Sequence, residues 1–574
     1  MKKLLFIVVC FFIVQLAATA QADKKLTELI ATYDRFMVNE FSGGSISAIA
    51  QPLGYFKESD FARRYQFYRN LNDSLSLLPK KDFSFEQQIN LELLRFIIQN
   101  EMKEFEFHHY RNGILSDDAF HIDFAGITSR VYTTEKDLRK YLDKLRDFPR
   151  FTHENLELIR SGLAEGIAQP AYIIEGLRPS WDIHIVNDPS VSLFFKPFLK
   201  QPMGIADTTW TQLVNMAKKR IMGDVVPTYQ QIKTFFETEY LPKARKQAGV
   251  GSSFPNGKAF YQQRVQYFTS TSMTVDEVHQ LGLKEVARIE AEMQAVMNEV
   301  GFKGSLKNFI EKLRTDPQFY PKTADELLQR AAWLSKKAEA GLPALFGKLP
   351  RQPFTVAPVP DYLAPSYTGG RYSGAPITSK SAGAYWVNTY KLDSRPFYTL
   401  ESLTLHEAVP GHHLQTALAQ ELTELPRFRQ NLYVNAFGEG WGLYSEYLGY
   451  EMGFYKDPYN RFGRLTYEMW RACRLVVDTG IHGYGWSREQ AIDYLGSRTA
   501  LSVHEVNTEI NRYISWPGQA LSYKIGEIKI KALRQRTEKR LGEKFDIRAF
   551  HDLVLSQGSV TLSVLETMVD NFMR

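Results

Sequence analysis

"TLHEAVPGHHLQ", Thr404 to Gln415, is the stretch on which the reading of this chain turns. It opens like the helix of a zinc peptidase, where His-Glu-x-x-His puts two imidazoles on one face to share an ion and the Glu polarises water. His406 and Glu407 fit that pattern, but the residue four positions on is Pro410, which has no ligand atom. On a straight helix His412 would point about 240° away from His406, and His413 would share its face but sit ~10 Å along the axis. Pro410 cannot donate to the carbonyl of His406, and Gly411 tolerates unusual dihedrals, so the helix must deform here. Read as a two-residue insertion, Val409-Pro410 makes a local bulge that swings His412 into the place of the second ligand, with His413 as its rival.

A third ligand is needed, leaving a fourth position for water. Downstream, "NAFGEGWGLYSEYLGYEMG" offers Glu439 and Glu446, seven residues apart and near one face of a helix. Pro426 can turn the chain between the two segments, so the return helix runs antiparallel and Glu439 falls opposite the histidines. Glu446 is the second choice, better suited to supporting a ligand. Gly438, Gly440 and Gly442 let backbones approach closely at a cost in helix propensity. The expected cofactor is one zinc ion on His406, His412 and Glu439, a donor set that suits zinc best.

The 574 residues are 44% hydrophobic and 13% aromatic, enough for a sizeable core in one large or two intimately packed domains. Lys2 and Lys3, the apolar run Leu4 to Leu16 and Ala18-Thr19-Ala20 read as a signal peptide cut after Ala20. The run is shorter than the ~20 residues of a spanning helix, so no stable membrane insertion is expected after cleavage. The protein is therefore expected to be exported, periplasmic or secreted. Cys10 lies in that run, so Cys473 alone survives processing and an internal disulfide is excluded. The formal charge of +6, which falls to +4 without Lys2 and Lys3, is too mild and unclustered for a nucleic-acid partner.

Helical periodicity dominates. "TVDEVHQLGLKEVARIEAEMQAVMNEVG" carries a Thr274/Glu277 capping box and an apolar face through Val278, Leu281, Val286, Ile289, Met293 and Val296. From Gly341 to Ala382 prolines and glycines break any regular pattern, marking a boundary or a loop around the site. "GAYWVNTY" follows with strand-like alternation, and Tyr385 and Asn388 on it could pair an extended peptide by edge addition.

"LHEAVPGHHLQ", "EGWGLYSE", "RACRLVVDTGIHGYGWSREQA", "RYISWPGQALSYKIG" and "FHDLVLSQGSV", with upstream similarity through "FPNGKAFYQQRVQYFTSTSMTVDEVHQLGLKEVARIEAEM", closely resemble the bacterial domain-of-unknown-function family 885 (DUF885). The resemblance implies a zinc peptidase of the HExxH superfamily. The resemblance implies a predominantly α-helical, gluzincin-like fold with a small antiparallel sheet beside the active-site helix. It is similar to the helical converting-enzyme-like and thermostable carboxypeptidases. It also implies a helical region, 21–340, walling a deep cleft, a catalytic zinc region, 341–574, and short peptides as substrates. "FGEGWGLYSE" is similar to the Asn-Glu-Gly-Phe element of aminopeptidases, whose Glu is the third zinc ligand, which supports Glu439.

The expected chemistry is peptide hydrolysis, with Glu407 taking a proton from metal-activated water and returning it to the leaving amine. Tyr513, in an Arg512-Tyr513 pair resembling that of converting-enzyme-like peptidases, is the first candidate to support the oxyanion and Tyr523 the second. His482, four residues after Asp478, could hydrogen-bond to it and donate to the oxyanion. Arg371, Arg471 and Arg474 could grip a substrate carboxylate, and Arg512 and Lys524 are further substrate-binding candidates. The rival functions are a zinc hydrolase of non-peptide amides or esters and a non-catalytic metal-containing binding protein. Which peptide terminus is read, and the oligomeric state, stay open.

Overall fold

The computed structural model describes residues 2–41, 51–79, 83–361, 363–377 and 381–574, with side chains from Gln21 onward except Ser366. The expected leader, residues 1–20, lies outside the described side chains; its backbone is part of α1 (Lys2–Phe41). Among the described residues the fold is predominantly helical with one three-stranded sheet. Two compact units divide the chain, Met1–Gln247 with Ser253–Asn256, and Ala248–Ser252 with Gly257–Arg574. The division thus falls near residue 250, not at the Pro/Gly-rich stretch after 340, because the helices between those points pack into the second unit.

The first unit is built around α2 (Glu58–Ser76), α3 (Phe85–Glu106) and the long α4 (Glu135–Ala164). Thr134 caps α4 by accepting from Asp137 N–H, and Leu138, Leu142, Leu145 and Phe148 follow at helical spacing into an aromatic core. There Phe124 stacks on Phe148 and Trp181 on Phe236. His121 and His184 lie among these rings, and burial pushes their imidazoles down to about 3 and about 4.

In the second unit, α5 (Val275–Glu299) starts at the Thr274/Glu277 capping box and packs along α10 (Pro458–His482) once the elements between are placed. Gly282 makes that crossing close: a Cβ there would stand 2.7 Å from Leu475 Cβ. α6 (Ala324–Leu345) precedes the sheet of β1 (Phe354–Pro358), β2 (Gly370–Ser373) and β3 (Gly383–Val387). The strand order is β1-β3-β2, with β1 parallel and β2 antiparallel to β3. The sheet is therefore mixed, not antiparallel, and "GAYWV" is its central strand. Both edges of β3 are taken, which removes the expected peptide addition there.

Beside the sheet come α7 (Leu400–Glu407), α8 (His412–Gln420), α9 (Asn435–Leu448), the central α10, α11 (Val503–Ser515) and α12 (Ser522–Leu541). α10 is buried on every side from Phe462 to His482 yet carries Arg464, Glu468, Arg471, Arg474, Asp478 and His482. Buried charges persist where each has a partner. Arg464 meets Glu468, Arg474 meets Glu509 of α11, and Asp478 accepts from Tyr261 and from Gly518 N–H.

Candidate metal centre

The "HEAVPGHH" stretch is a full break between two helices, not a bulge within one. α7 ends at Glu407, Ala408 and Gly411 leave helical dihedrals, the Val409–Pro410 peptide is cis, and α8 begins at His412. Gly411 returns the chain over His406, where a Cβ would lie 1.8 Å from the His406 carbonyl oxygen, so no side chain fits. Trp441 of α9 pins the turn by donating Nε1–H to the Pro410 carbonyl at 2.8 Å. The turn thereby places His412, the first residue of α8, beside His406, the next-to-last of α7, with ring centroids 4.8 Å apart.

Glu439 of α9 completes the group. Its Oε2 lies 3.8 Å from His406 Nε2 and 3.4 Å from His412 Nε2, and one ligand atom from each residue falls within 4.8 Å of the others. Donors about 2.0–2.1 Å from a tetrahedral ion stand roughly 3.3 Å apart, so the two Glu439 distances lie near the spacing of a zinc site, and the widest spacing has to contract as an ion is gripped. α9 reaches this close because Gly442 faces the imidazole: a Cβ would stand 2.7 Å from His406 Cε1. Gly440 lies against Gly526 of α12 in the same way.

Supporting contacts orient the group. Glu446 Oε1 accepts from His406 Nδ1 at 2.8 Å, which fixes the tautomer and turns Nε2 toward Glu439. Burial resists charge on His406, yet Glu439, Glu446 and Glu407 raise it to about 10. Burial likewise opposes ionisation of Glu439, but the two imidazoles hold its carboxyl well below the usual carboxylate range. The carboxylates around His406 thus favour a cation at this spot. Tyr433 donates to Glu439 Oε1 at 3.0 Å. His413 points elsewhere, its Nδ1 3.0 Å from the Tyr372 hydroxyl.

Glu407 accepts the Tyr372 backbone N–H of β2 at 2.8 Å, so the strand edge holds its carboxylate in the lining of a cavity of about 570 Å³. His406, His412, Glu439 and Tyr523 line the same cavity, and every lining residue comes from the second unit. A second cavity, about 490 Å³ and lined largely by apolar residues, shares Gly369, Leu403, Tyr467 and Glu505 with the first.

The two tyrosine candidates separate here. Tyr523 lines the cavity, with its ring 6.5 Å from that of His406. Burial works against its ionisation, but Arg512 and Arg474 bring the phenol below its ordinary value, making it a stronger donor. Tyr513 is outside the lining. Its hydroxyl accepts from Trp470 Nε1 at 2.7 Å and Arg474 Nε at 2.8 Å, which spends it on structure.

Other expected site residues are likewise committed elsewhere. His482 binds Val250 N–H through Nδ1 and the Tyr513 carbonyl through Nε2, tying backbone segments together instead of facing substrate. Asp478 serves Tyr261 and Gly518, not His482. Tyr385 is buried against Thr404, and the Asn388 amide donates to the carbonyls of Ala364, Tyr367 and Thr368. Lys524 is buried between Glu468 and Glu527. Arg371, Arg471, Arg474 and Arg512 do line the cavity. Trp470, Glu505 and Glu509 join them unannounced; the charged stripe of α10 was the available signal for this wall, whereas nothing in sequence marks the backbone N–H of Tyr372.

These features define a helical protein with a largely buried His-His-Glu group, its His406 fully enclosed, and an adjacent glutamate in the lining of a charged cavity. The chain belongs to the bacterial protein family of unknown function DUF885, whose profile matches residues 43–569. No curated protein matches it. It is similar, at 27% identity and a TM-score of 0.86, to a crystal structure described as "the putative lipoprotein from Colwellia psychrerythraea", covering 97% of this chain and 98% of that one. A Shewanella oneidensis structure, described as a "putative lipoprotein of unknown function", shares the fold at 18% identity and a TM-score of 0.67, covering 96% and 99%. Among the described residues no helix is long and apolar enough to cross a membrane.

Proposed function

We propose that this protein is an exported, single-zinc metallopeptidase that hydrolyses short peptides. The observation carrying the reading is the convergence of His406, His412 and Glu439 within 4.8 Å beside Glu407 on one cavity wall. Two imidazoles and one carboxylate suit zinc and leave an open position, and a ready-placed general base has no use in a closed structural site. Zinc held there would supply Lewis-acid polarisation of water and of a carbonyl.

The chain's own residues supply the rest. Glu407, fixed by Tyr372 N–H, accepts the proton of the attacking water and passes it to the departing amine. Tyr523 donates to the oxygen that gains negative charge as the carbonyl is attacked. Glu446 keeps the His406 tautomer that presents Nε2. Export accords with the leader-like N-terminus and with the description of the Colwellia psychrerythraea neighbour as a "putative lipoprotein".

A mixed short-peptide library, read by mass spectrometry with the parent protein and Glu407→Gln, tests this. Cleavage by the parent and its loss, by about a hundredfold or more, in Glu407→Gln is expected. Intact peptides alongside hydrolysis of simple amides or esters would assign the site to a non-peptide hydrolase. No hydrolysis of any kind would sink the enzymatic reading.

A further inference from the structure

The lining of the catalytic cavity holds four arginines, Arg371, Arg471, Arg474 and Arg512, against four glutamates. The glutamates are largely committed. Glu407 and Glu439 belong to the base and the metal group, and Glu509 is paired with Arg474 at 2.8 Å. Among the described residues Glu505 has no such close ion pair, and burial raises its carboxyl above its ordinary value. A divalent ion on the His-His-Glu group would tip the balance further to positive.

Three of the arginines, Arg371, Arg471 and Arg474, are not fully committed. Arg471 and Arg474 are almost wholly buried, 4% and 1% exposed, yet Arg471 Nε and Arg474 Nη1 have no hydrogen-bond partner. Neither atom is open to solvent, so what these two side chains offer the cavity they line is fixed positive charge. Both side chains are held in place, Arg471 over Trp470 at 4.1 Å and Arg474 over Tyr523 at 4.1 Å. Arg371 is exposed and, among the described residues, its side chain makes no hydrogen bond or ion pair; its guanidinium rests 5.6 Å from the Tyr367 ring. It is also the neighbour in sequence of Tyr372, whose N–H fixes Glu407.

We propose that this lining binds the free α-carboxylate of a peptide, with Arg371 as the principal contact and the positive charges of Arg471 and Arg474 behind it, so that the enzyme removes C-terminal residues. The assignment rests on the hydrolytic reading above. A planar guanidinium matches a carboxylate with two parallel N–H donors, which a neutral amide end cannot reproduce. Because this wall and the metal group share one cavity of about 570 Å³, the bound carboxylate stands within a short stretch of peptide of the bond that breaks. In the step itself the peptide C–N bond breaks, a C–O bond forms from water, and the proton that water gives to Glu407 leaves on the new amine.

The test uses matched peptides that differ in having a free or an amidated C-terminus. The parent should favour the free acid in kcat/KM by about thirtyfold. Arg371→Ala should bring that ratio close to one and Arg371→Lys should keep part of it. In parallel, calorimetric titration of Glu407→Gln with the same pair should show tighter binding of the free acid by a similar factor. Equal turnover of acid and amide by the parent would overturn the proposal and leave the peptidase standing. No turnover of either, with the free acid still preferred in titration, would uphold the carboxylate site and remove the hydrolytic reading. No preference in titration would overturn the carboxylate site.

Discussion

His406 is gripped from three sides, by Glu446 at Nδ1, Glu439 near Nε2 and the bare Cα of Gly442 against the ring. Each grip makes a separate prediction. Glu446→Ala frees the tautomer without touching a ligand atom and should weaken metal binding about 10–100-fold in a competitive chelator titration. Gly442→Ala drives a methyl to within 2.7 Å of the imidazole and should displace it, with metal affinity falling by at least about tenfold while the helix itself survives. Unchanged affinity in both variants would mean that His406 is not held as described. Much of this was readable in the sequence: a His-Glu pair, a second His after a Pro-Gly break and a Glu flanked by glycines name the donor types. What could not be read was where each neighbour's hydrogen bonds go. Tyr513 and His482 have the right chemistry, but buried polar groups must be satisfied, and Trp470, Arg474 and Val250 claim them first.

Helix packing determines how near the ligands can come. α9 and α12 cross at Gly440 and Gly526, where a Cβ on Gly440 would stand 2.5 Å from Gly526 Cα and one on Gly526 1.8 Å from the Ala436 carbonyl oxygen. Gly440→Ala should destabilise the protein by about 1–3 kcal/mol in denaturant unfolding and, because Glu439 precedes it, lower metal content as well. A full metal complement at reduced stability would uncouple the crossing from the site. The helices were legible from their caps and apolar periodicity, as α5 shows. The sheet was legible only in part. β3 has strand-like alternation, but its partners "FTVAP" and "GRYS" lie in a stretch so full of proline and glycine that local pattern says loop. Their pairing is set by contacts distant in sequence, which also made β3 central and not an edge.

Over the whole molecule, the two compact units carry different burdens. The second holds every residue of the cavity, while the first buries His121 and His184 uncharged. An unfolded histidine takes up a proton near 6.5, but folded His121 does not until about 3, so stability present at pH 7 is lost as pH falls through that window. Between pH 6.5 and 4 the parent should lose up to about 1.4 kcal/mol per pH unit for this residue, and His121→Gln should flatten the slope of stability against pH. An unaltered slope would show that His121 titrates normally in the fold. The account's central claim is a metal held by His406, His412 and Glu439, and elemental mass spectrometry on the purified protein tests it most directly. One zinc per chain in the parent and in His413→Ala, with loss of zinc in His412→Ala and Glu439→Ala, is the predicted result. Absence of metal from a parent protein offered zinc, or equal retention in His412→Ala, would contradict it.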